Sequence, residues 1–297
     1  MRLYVIGTEG QVARALREAA VDNPDMVVGH AGRPELDILR AELVEKALVA
    51  FSPDIVINPA AYTAVDRAEF EPDLAFAVNR DGAGHVASAA ARIGIPVIHL
   101  STDYVFDGSK GAPYVETDPV APMGIYGQSK LAGEYAVVAA NDRHIILRTS
   151  WVYAPYGNNF VRTMLRLSDA RDRLRVVDDQ VGCPTYAPDI AAAIVTIARQ
   201  IESSGWRKRF AGVTHLAGPD AVTWYDFAQK IMGLFGKKTG RHVAVDAIST
   251  VDYPTAARRP ANSRLCCDRL VSIFGVRLPP LEPSLEKCLE RLLEARD

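Results

Sequence analysis

The sequence has few cysteines and no clustered histidines. Its four cysteines form no C-x-x-C pair and show no paired spacing with histidine, and its six histidines are scattered singly along 297 residues. This pattern favours ordinary thiols in a reducing compartment over a zinc site. We therefore predict no metal centre.

Basic runs and long apolar stretches near the start are also missing. Lys and Arg number 34 against 36 Asp and Glu, a net charge of −2, so nucleic acid is not an expected partner. The apolar run before Gly7 is only four residues long, too short for a signal peptide or a membrane span. We expect a cytoplasmic protein with no membrane partner, and its 297 residues allow one large or two modest domains.

The first motif is a strand, a glycine turn and a helix. The apolar run 3–6 is typical of a parallel strand that is covered on both faces, and residues 14–20 favour helix. Glycines in such a turn let a pyrophosphate approach the backbone, and the helix N-terminus offers it free N–H groups. Ala13 replaces the third glycine of the pattern but is still small. We predict that the dinucleotide contacts Gly7, Gly10, Gln11 and Val12.

The second predicted strand, around residues 26–28, does not end in Asp or Glu. An acidic residue there would bind the ribose of NAD, whereas an arginine can accept the additional phosphate of NADP. Arg33 follows, so NADPH is preferred, with NADH as the alternative and a solvated loop arginine as the plain interpretation. Asp37 and Ile38 are then placed toward the adenine end.

Two further strands end in residues suited to a ligand. The strand 53–58 leads into the small residues of 59–63, which would let a cofactor lie against its carboxyl end. The strand 96–100 is followed directly by Ser101, Thr102 and Asp103. In an open parallel sheet the ligand crevice lies at such ends.

Tyr126 and Lys130 are four residues apart in a segment predicted to be helical over 127–140. A phenol and an ammonium would then lie on one helix face, as a proton donor beside a cation that stabilises the phenolate. The Y-x-x-x-K pattern alone is weak. Its convergence with Thr102 leads us to predict Thr102, Tyr126 and Lys130 as catalytic residues.

The alternation of strand and helix over residues 1–150 predicts an α/β protein with a Rossmann-type doubly wound parallel sheet. Residues 151–185 and 217–297 are assigned to a smaller C-terminal α/β domain that binds substrate, while 186–216 is expected to return to the first domain. Local predictions include two separate helices over 72–78 and 84–92, a loop over 29–33 and a turn-rich loop over 178–185.

Over nearly its whole length the chain resembles the extended short-chain dehydrogenase/reductases, and within them the dTDP-4-dehydrorhamnose reductase family. The strongest matches are S-T-D-Y-V-F-D-G at 101–108 and Y-G-Q-S-K-L-A-G-E at 126–134. Weaker matches lie at 7–12, 58–66, 148–153, 179–185, 215–218, 224–228 and 259–263. Ala13, Pro59 and Tyr62 depart from the family pattern and leave the choice between NADH and NADPH open.

The resemblance implies NAD(P)H-dependent reduction of a 4-keto-6-deoxy sugar nucleotide, dTDP-4-dehydro-L-rhamnose first among them. Tyr126 would deliver the proton, Thr102 would bind the substrate oxygen, and Lys130 would also hold the nicotinamide ribose. The implied substrate contacts are Thr63, Val65, Thr102, Asp103, Tyr104, Tyr126 and Trp151, with an aromatic face of Trp151 against the sugar ring. The predicted cofactor contacts further along the chain are Ala60, Ala61, Tyr62, Thr63, Tyr126 and Lys130.

Three alternatives share this fold. Sugar-nucleotide 4,6-dehydratases place Asp-Glu after the threonine, whereas Thr102 is followed here by Asp103 and Tyr104, which disfavours elimination. The later motifs do not suggest an epimerase. A regulatory subunit of methionine adenosyltransferase looks similar but would not need the intact Thr102, Tyr126 and Lys130. The exact nucleotide, the stereochemistry at C4, a homodimer and a need for a divalent metal are left open.

Overall fold

The computed structural model describes residues 1–294. The strands are β1 (Arg2–Ile6), β2 (Val27–Ala31), β3 (Ile55–Asn58), β4 (Val97–Thr102), β5 (His144–Thr149), β6 (Val152–Tyr153), β7 (Arg173–Val177), β8 (Val181–Gly182), β9 (Thr185–Tyr186), β10 (Gly212–His215), β11 (Val222–Thr223), β12 (Ala244–Ile248) and β13 (Asn262–Ser263). The helices are α1 (Gln11–Val21), α2 (Ala41–Phe51), α3 (Val65–Ala68), α4 (Pro72–Phe76), α5 (Ala83–Arg92), α6 (Ile125–Ala140), α7 (Phe160–Ala170), α8 (Ala187–Ser204), α9 (Trp224–Thr239), α10 (Asp268–Phe274) and α11 (Leu281–Glu294). Within 1–294 no helix is both long and apolar enough to cross a bilayer.

The centre of the molecule is a six-stranded sheet in the order β10-β5-β4-β3-β1-β2, with every neighbouring pair parallel. Strands β3, β4 and β5 are buried along their whole length, because helices cover both faces of the sheet. The predicted doubly wound fold is thus confirmed. Strand order reverses between β1 and β3, and the ligand crevice of such a sheet opens at the carboxyl ends of these strands.

The helices expected separately over 72–78 and 84–92 form one continuous helical run. Between α4 and α5 the backbone stays helical as a π-helical segment, Ala77–Gly82. Gly82 lies inside this run and does not end it. A glycine is needed there for packing, since a Cβ would lie 2.6 Å from Ile38 Cδ1. The two predicted α-helices are thus present as α4 and α5, and the π-helical segment joins them without a break.

Two predicted loops contain strands. The segment after residue 28 continues β2 to Ala31. The strand contains a glycine at position 29 because the Phe51 ring packs there, and a Cβ would come within 2.5 Å of that ring. The segment 178–185 contains β8, which pairs with β11 and β13, and the start of β9, which pairs with β6. Strands of two residues are too short to show a period in the sequence.

The late strand β10 joins the central sheet by pairing in parallel with β5, and α8 packs against α1. Buried side chains of α7, α9 and α11 form a second hydrophobic cluster with Tyr153 and Tyr186. The two-domain boundaries stay a prediction, which this separate cluster supports.

Candidate active site

The turn after β1 leaves a helix N-terminus open. Gly7 has φ +113°, in the region that favours glycine, and its N–H donates to the Ala31 carbonyl at 2.6 Å. Gly10 precedes α1 without any side-chain cap, and a Cβ at Gly10 would meet no atom within 4 Å. The free N–H groups of an 11-residue helix therefore face open space, which fits a pyrophosphate. Gln11 and Val12 are the first residues of that helix.

The loop after β2 lies against this turn. A Cβ at Gly32 would be 3.2 Å from Gly7 Cα, which places the exposed Arg33 beside the glycine turn. Asp37 accepts a hydrogen bond from Leu39 N at 3.0 Å. Ile38 is 7% exposed and its side chain belongs to the core, so only its backbone is placed to meet a ligand.

A residue that the sequence did not single out holds the segment after β3. Asn79, on the π-helical segment, accepts from Tyr62 N at 2.8 Å and donates to Tyr62 O at 3.1 Å and to Ser129 Oγ at 2.9 Å. It thereby joins the loop of Ala60, Ala61 and Thr63 to α6. π-Helical segments frequently mark functional sites, but hydrophobic periodicity does not reveal them. The only sequence signal is a polar residue within a helical pattern.

Thr102 and Tyr126 meet at the carboxyl end of β4. The Thr102 hydroxyl donates to Asp103 Oδ1 at 3.0 Å and accepts from Tyr104 N at 3.2 Å, and it is close enough to the Tyr126 phenol to act on its pKa. The Tyr104 ring packs edge-on against Tyr126, with centroids 5.4 Å apart. Burial raises the pKa of Tyr126 to about 12, although the Thr102 hydroxyl acts to lower it. Tyr126 is therefore protonated at neutral pH and can act as a proton donor.

Lys130 is 2% exposed and lies one helical turn after Tyr126. Its ammonium donates to the Leu100 carbonyl at 2.6 Å and lies 3.5 Å from His99 Nε2. Burial lowers the pKa of Lys130 to about 8, while the Glu134 carboxylate acts to raise it. Burial and the Lys130 charge hold the pKa of His99 well below its usual value, so this imidazole is neutral. In this structure the pKa of Tyr126 is set by burial, Thr102 and Asp103.

Asp103 is a buried carboxyl at the same strand end, 3% exposed. Burial raises its pKa to about 6, although the hydroxyls of Ser263, Thr102 and Ser150 act to lower it. Its Oδ2 has no hydrogen bond of good geometry within the described residues. A carboxyl so perturbed beside Thr102 is typical of a binding or catalytic site.

Trp151 is held in a strained conformation, with φ +46°. Its indole stacks on Trp224, and a Cβ at Gly182 would lie 2.3 Å from the Trp151 ring. One face of the indole is thus covered by a residue that sequence reasoning did not connect with it. Gly182 lies over the indole near Cε2, so the expectation of an aromatic face against a sugar ring stays a prediction.

The N-terminus of α6 is fixed from two sides. Ile125 N donates to Glu69 Oε1 at 2.9 Å, and Gly127 lies so close to Tyr104 that a Cβ would be 2.3 Å from its carbonyl oxygen. These contacts place Tyr126 between them. Glu69 belongs to no sequence motif, so the sequence gives no signal for its role.

The remaining predicted substrate residues lie near α3. Thr63 is exposed, and the partly buried Val65 begins the helix. Asp66 Oδ2 accepts from Arg259 Nη2 at 2.7 Å, so α3 is tied to the segment 257–259. Within residues 1–294 no cluster of three His, Cys, Asp or Glu side chains is arranged to bind a metal ion.

Comparison with known proteins gives matches over the full chain. The family model of the RmlD substrate binding domain matches residues 1–294. A dTDP-4-dehydrorhamnose reductase from Sinorhizobium fredii is 51% identical, with 100% of both chains covered. The solved dTDP-4-dehydrorhamnose reductase from Clostridium acetobutylicum has a TM-score of 0.90 and 35% identity, covering 99% of this chain and 100% of that one. The reductase from Bacillus anthracis, solved in complex with NADP, has a TM-score of 0.87 and 36% identity, covering 97% and 98%.

Proposed function

This chain belongs to the dTDP-4-dehydrorhamnose reductase family, and on that basis we propose that it reduces dTDP-4-dehydro-L-rhamnose to dTDP-L-rhamnose with NADPH. The proposal is supported by the place of Thr102 at the carboxyl end of β4, by Tyr126 and Lys130 one helical turn apart on α6, and by the open glycine turn at the carboxyl end of β1 in the same parallel sheet. These three side chains would supply a proton, an oxyanion-binding hydroxyl and a cation at the carboxyl edge of the sheet.

The cofactor site fits a dinucleotide with an additional phosphate. The uncapped N-terminus of α1 and the open space at Gly10 would hold the pyrophosphate. Arg33, beside the turn and exposed, would pair with the 2′-phosphate. When bound there, NADPH supplies the hydride that C4 of the sugar accepts.

The protein's part in the reaction is proton delivery and charge stabilisation. Tyr126, protonated at neutral pH, would donate its proton to the C4 oxygen as negative charge develops there. The Thr102 hydroxyl would hydrogen-bond the same oxygen, which orients the ketone and lowers the energy of the transition state. The buried Lys130 ammonium would stabilise the phenolate that is left.

Reduction is favoured over elimination by the residues next to Thr102. A dehydratase needs an acid and a base to remove water across C5 and C6, whereas Thr102 is followed here by Asp103 and Tyr104. Tyr104 packs on Tyr126 and provides no carboxylate base. A cytoplasmic location and a homodimer stay predictions.

The test is to follow NADPH absorbance with dTDP-4-dehydro-L-rhamnose and with a panel of other 4-keto sugar nucleotides, and to identify the product by NMR. We expect Tyr126→Phe to bind NADPH normally and to lose about 10²–10⁴-fold in turnover. Turnover of this variant at the parent rate would show that the proposed acid is wrong. Absence of NADPH oxidation with every substrate of the panel would refute the reductase itself.

A further inference from the structure

Behind Lys130 lies a buried carboxylate that the reaction above does not use. Glu134 is 2% exposed and follows Lys130 by one turn on the same face of α6. Its Oε1 accepts from Ser101 Oγ at 2.5 Å and from Arg148 Nε at 2.8 Å, and its Oε2 accepts from Arg148 Nη2 at 2.7 Å. Within residues 1–294 the hydrogen bonds of its carboxylate run only to strands of the central sheet.

Both partners lie one residue before the carboxyl ends of their strands, next to Thr102 and Thr149. Ser101 and Arg148 face each other in the β4–β5 register, and the next pair along is Thr102 and Thr149. A single carboxylate therefore fixes α6, which carries Tyr126 and Lys130, to both strands one residue before Thr102. A shift of α6 along the sheet would break all three bonds of Glu134 at once.

Stability alone does not account for this ion pair. Both side chains are at most 4% exposed, and moving two charges out of water opposes much of their attraction. Arg148 Nη1 is also buried without a hydrogen bond in the described part of the chain. An apolar pair of similar volume would often be as stable. The position of the charge beside Lys130 points to a role at the site.

We propose that Glu134, held by Ser101 and Arg148, is a positioning residue that keeps the Lys130 ammonium charged and fixed beside Tyr126. The inference rests on the proposed reductase function. Lys130 has three N–H donors; Leu100 and His99 occupy two, which leaves one for a ligand. Burial works against its charge, and Glu134 is the group that opposes burial.

The other charged side chains near α6 bind partners other than Lys130 or are exposed. His99 from β4 is neutral, and Arg148 from β5 is bound to Glu134. Asp103, after β4, contacts Thr102 rather than Lys130. On the helical elements that pack against α6, Asp66, Arg67, Glu71, Arg80, Asp81, His85 and Arg92 bind other partners and Asp73 is exposed.

The test is the pH dependence of turnover at saturating NADPH and substrate for Glu134→Gln. This variant keeps the size and one acceptor oxygen of the side chain but removes its charge. Turnover requires the ammonium, so it falls as pH rises through the pKa of Lys130. We expect that fall to begin about one pH unit lower in the variant. A fall at the wild-type pH would overturn the inference.

Two further variants separate charge from structure. Glu134→Asp keeps the charge, and its high-pH fall should stay near the wild-type value even where turnover drops. Asp246→Asn removes the charge of a surface pair with Arg173 on β7 and β12, and should leave the profile unchanged. If Glu134→Gln does not fold, the double variant Glu134→Gln/Arg148→Met removes both buried charges. Its fall is compared with that of Arg148→Met, which keeps the carboxylate, and must begin at a lower pH; coincident profiles of these two variants would overturn the inference.

A second readout does not depend on the reaction. NMR of protein labelled with ¹⁵N-lysine, with Lys130→Met to assign the resonance, reports the titration of Lys130 directly. A lower pKa in Glu134→Gln supports the inference even if no sugar nucleotide is reduced, in which case only the proposed function fails. An unchanged titration overturns the inference even in an active reductase.

Discussion

The indole rings of Trp151 and Trp224 lie face to face, with centroids 3.4 Å apart and planes inclined by 7°. Trp151 comes two residues after β5, and Trp224 is the first residue of α9. The stack therefore connects the carboxyl edge of the central sheet to the second hydrophobic cluster, and it holds Trp151 in its left-handed conformation.

Replacing Trp224 by leucine should remove this support. We expect the free energy of unfolding to fall by about 1 kcal/mol beyond the loss of buried area, as for other aromatic pairs. Urea unfolding measures this loss. The exciton band of stacked indoles in the circular dichroism spectrum should also disappear, whereas Trp206→Phe, outside the stack, should keep it. An exciton band that persists in Trp224→Leu would contradict the stacked arrangement.

Gly127→Ala and Gly233→Ala form a matched pair of helix substitutions. A Cβ at Gly127 would lie 2.3 Å from the Tyr104 carbonyl oxygen, so we expect a loss of about 2 kcal/mol and a displaced Tyr126. At the exposed Gly233 of α9 nothing lies within 4 Å, and alanine should stabilise by about 0.5–1 kcal/mol. Thermal unfolding and turnover measure both. Equal effects of the two substitutions would rule out the close approach at Gly127.

The Glu69 carboxylate should stabilise the start of α6 by accepting the hydrogen bond from Ile125 N. Glu69→Ala leaves this N–H of α6 without its partner, so we expect a loss of about 1 kcal/mol in unfolding free energy and a lower turnover. Glu69→Gln retains an acceptor oxygen and should lose less of both. If alanine and glutamine behaved alike in urea unfolding, the hydrogen bond would not be the cause.

Asp103 should destabilise the fold where it is charged. Its pKa is raised from 3.8 to about 6 in the folded state, so the folded protein binds a proton more tightly than the unfolded one. The stability that the neutral form contributes is present below pH ~4 and is lost as pH rises through about 6. The free energy of unfolding then falls by about 3 kcal/mol.

Asp103→Asn cannot ionise and should avoid that loss. Relative to wild type, its free energy of unfolding should rise by about 3 kcal/mol between pH ~4 and pH ~7, as measured by urea unfolding at both values. We expect its KM for the sugar nucleotide to rise as well. A stability difference that does not change with pH would show that this carboxyl has an ordinary pKa.

The central fold was predictable because buried parallel strands leave apolar runs in the sequence, as at residues 145–147 and 55–57. Thr102 and Tyr126 could be placed in one crevice because topology brings the carboxyl ends of parallel strands together. The contacts of Glu69 with Ile125 and of Glu134 with Arg148 join residues 56 and 14 positions apart. No periodic pattern encodes such pairs, and the same is true of the Trp151–Trp224 stack.

The return of β10 to the central sheet also determines when that sheet can be completed during synthesis. Until residue 215 has left the ribosome, β5 has no neighbour on one side, and its buried apolar residues 145–147 form an exposed edge. Such an edge recruits other strands, so a nascent or truncated chain that ends near residue 150 would tend to aggregate. Completion of the central sheet therefore depends on residues that are made after the segment 151–211.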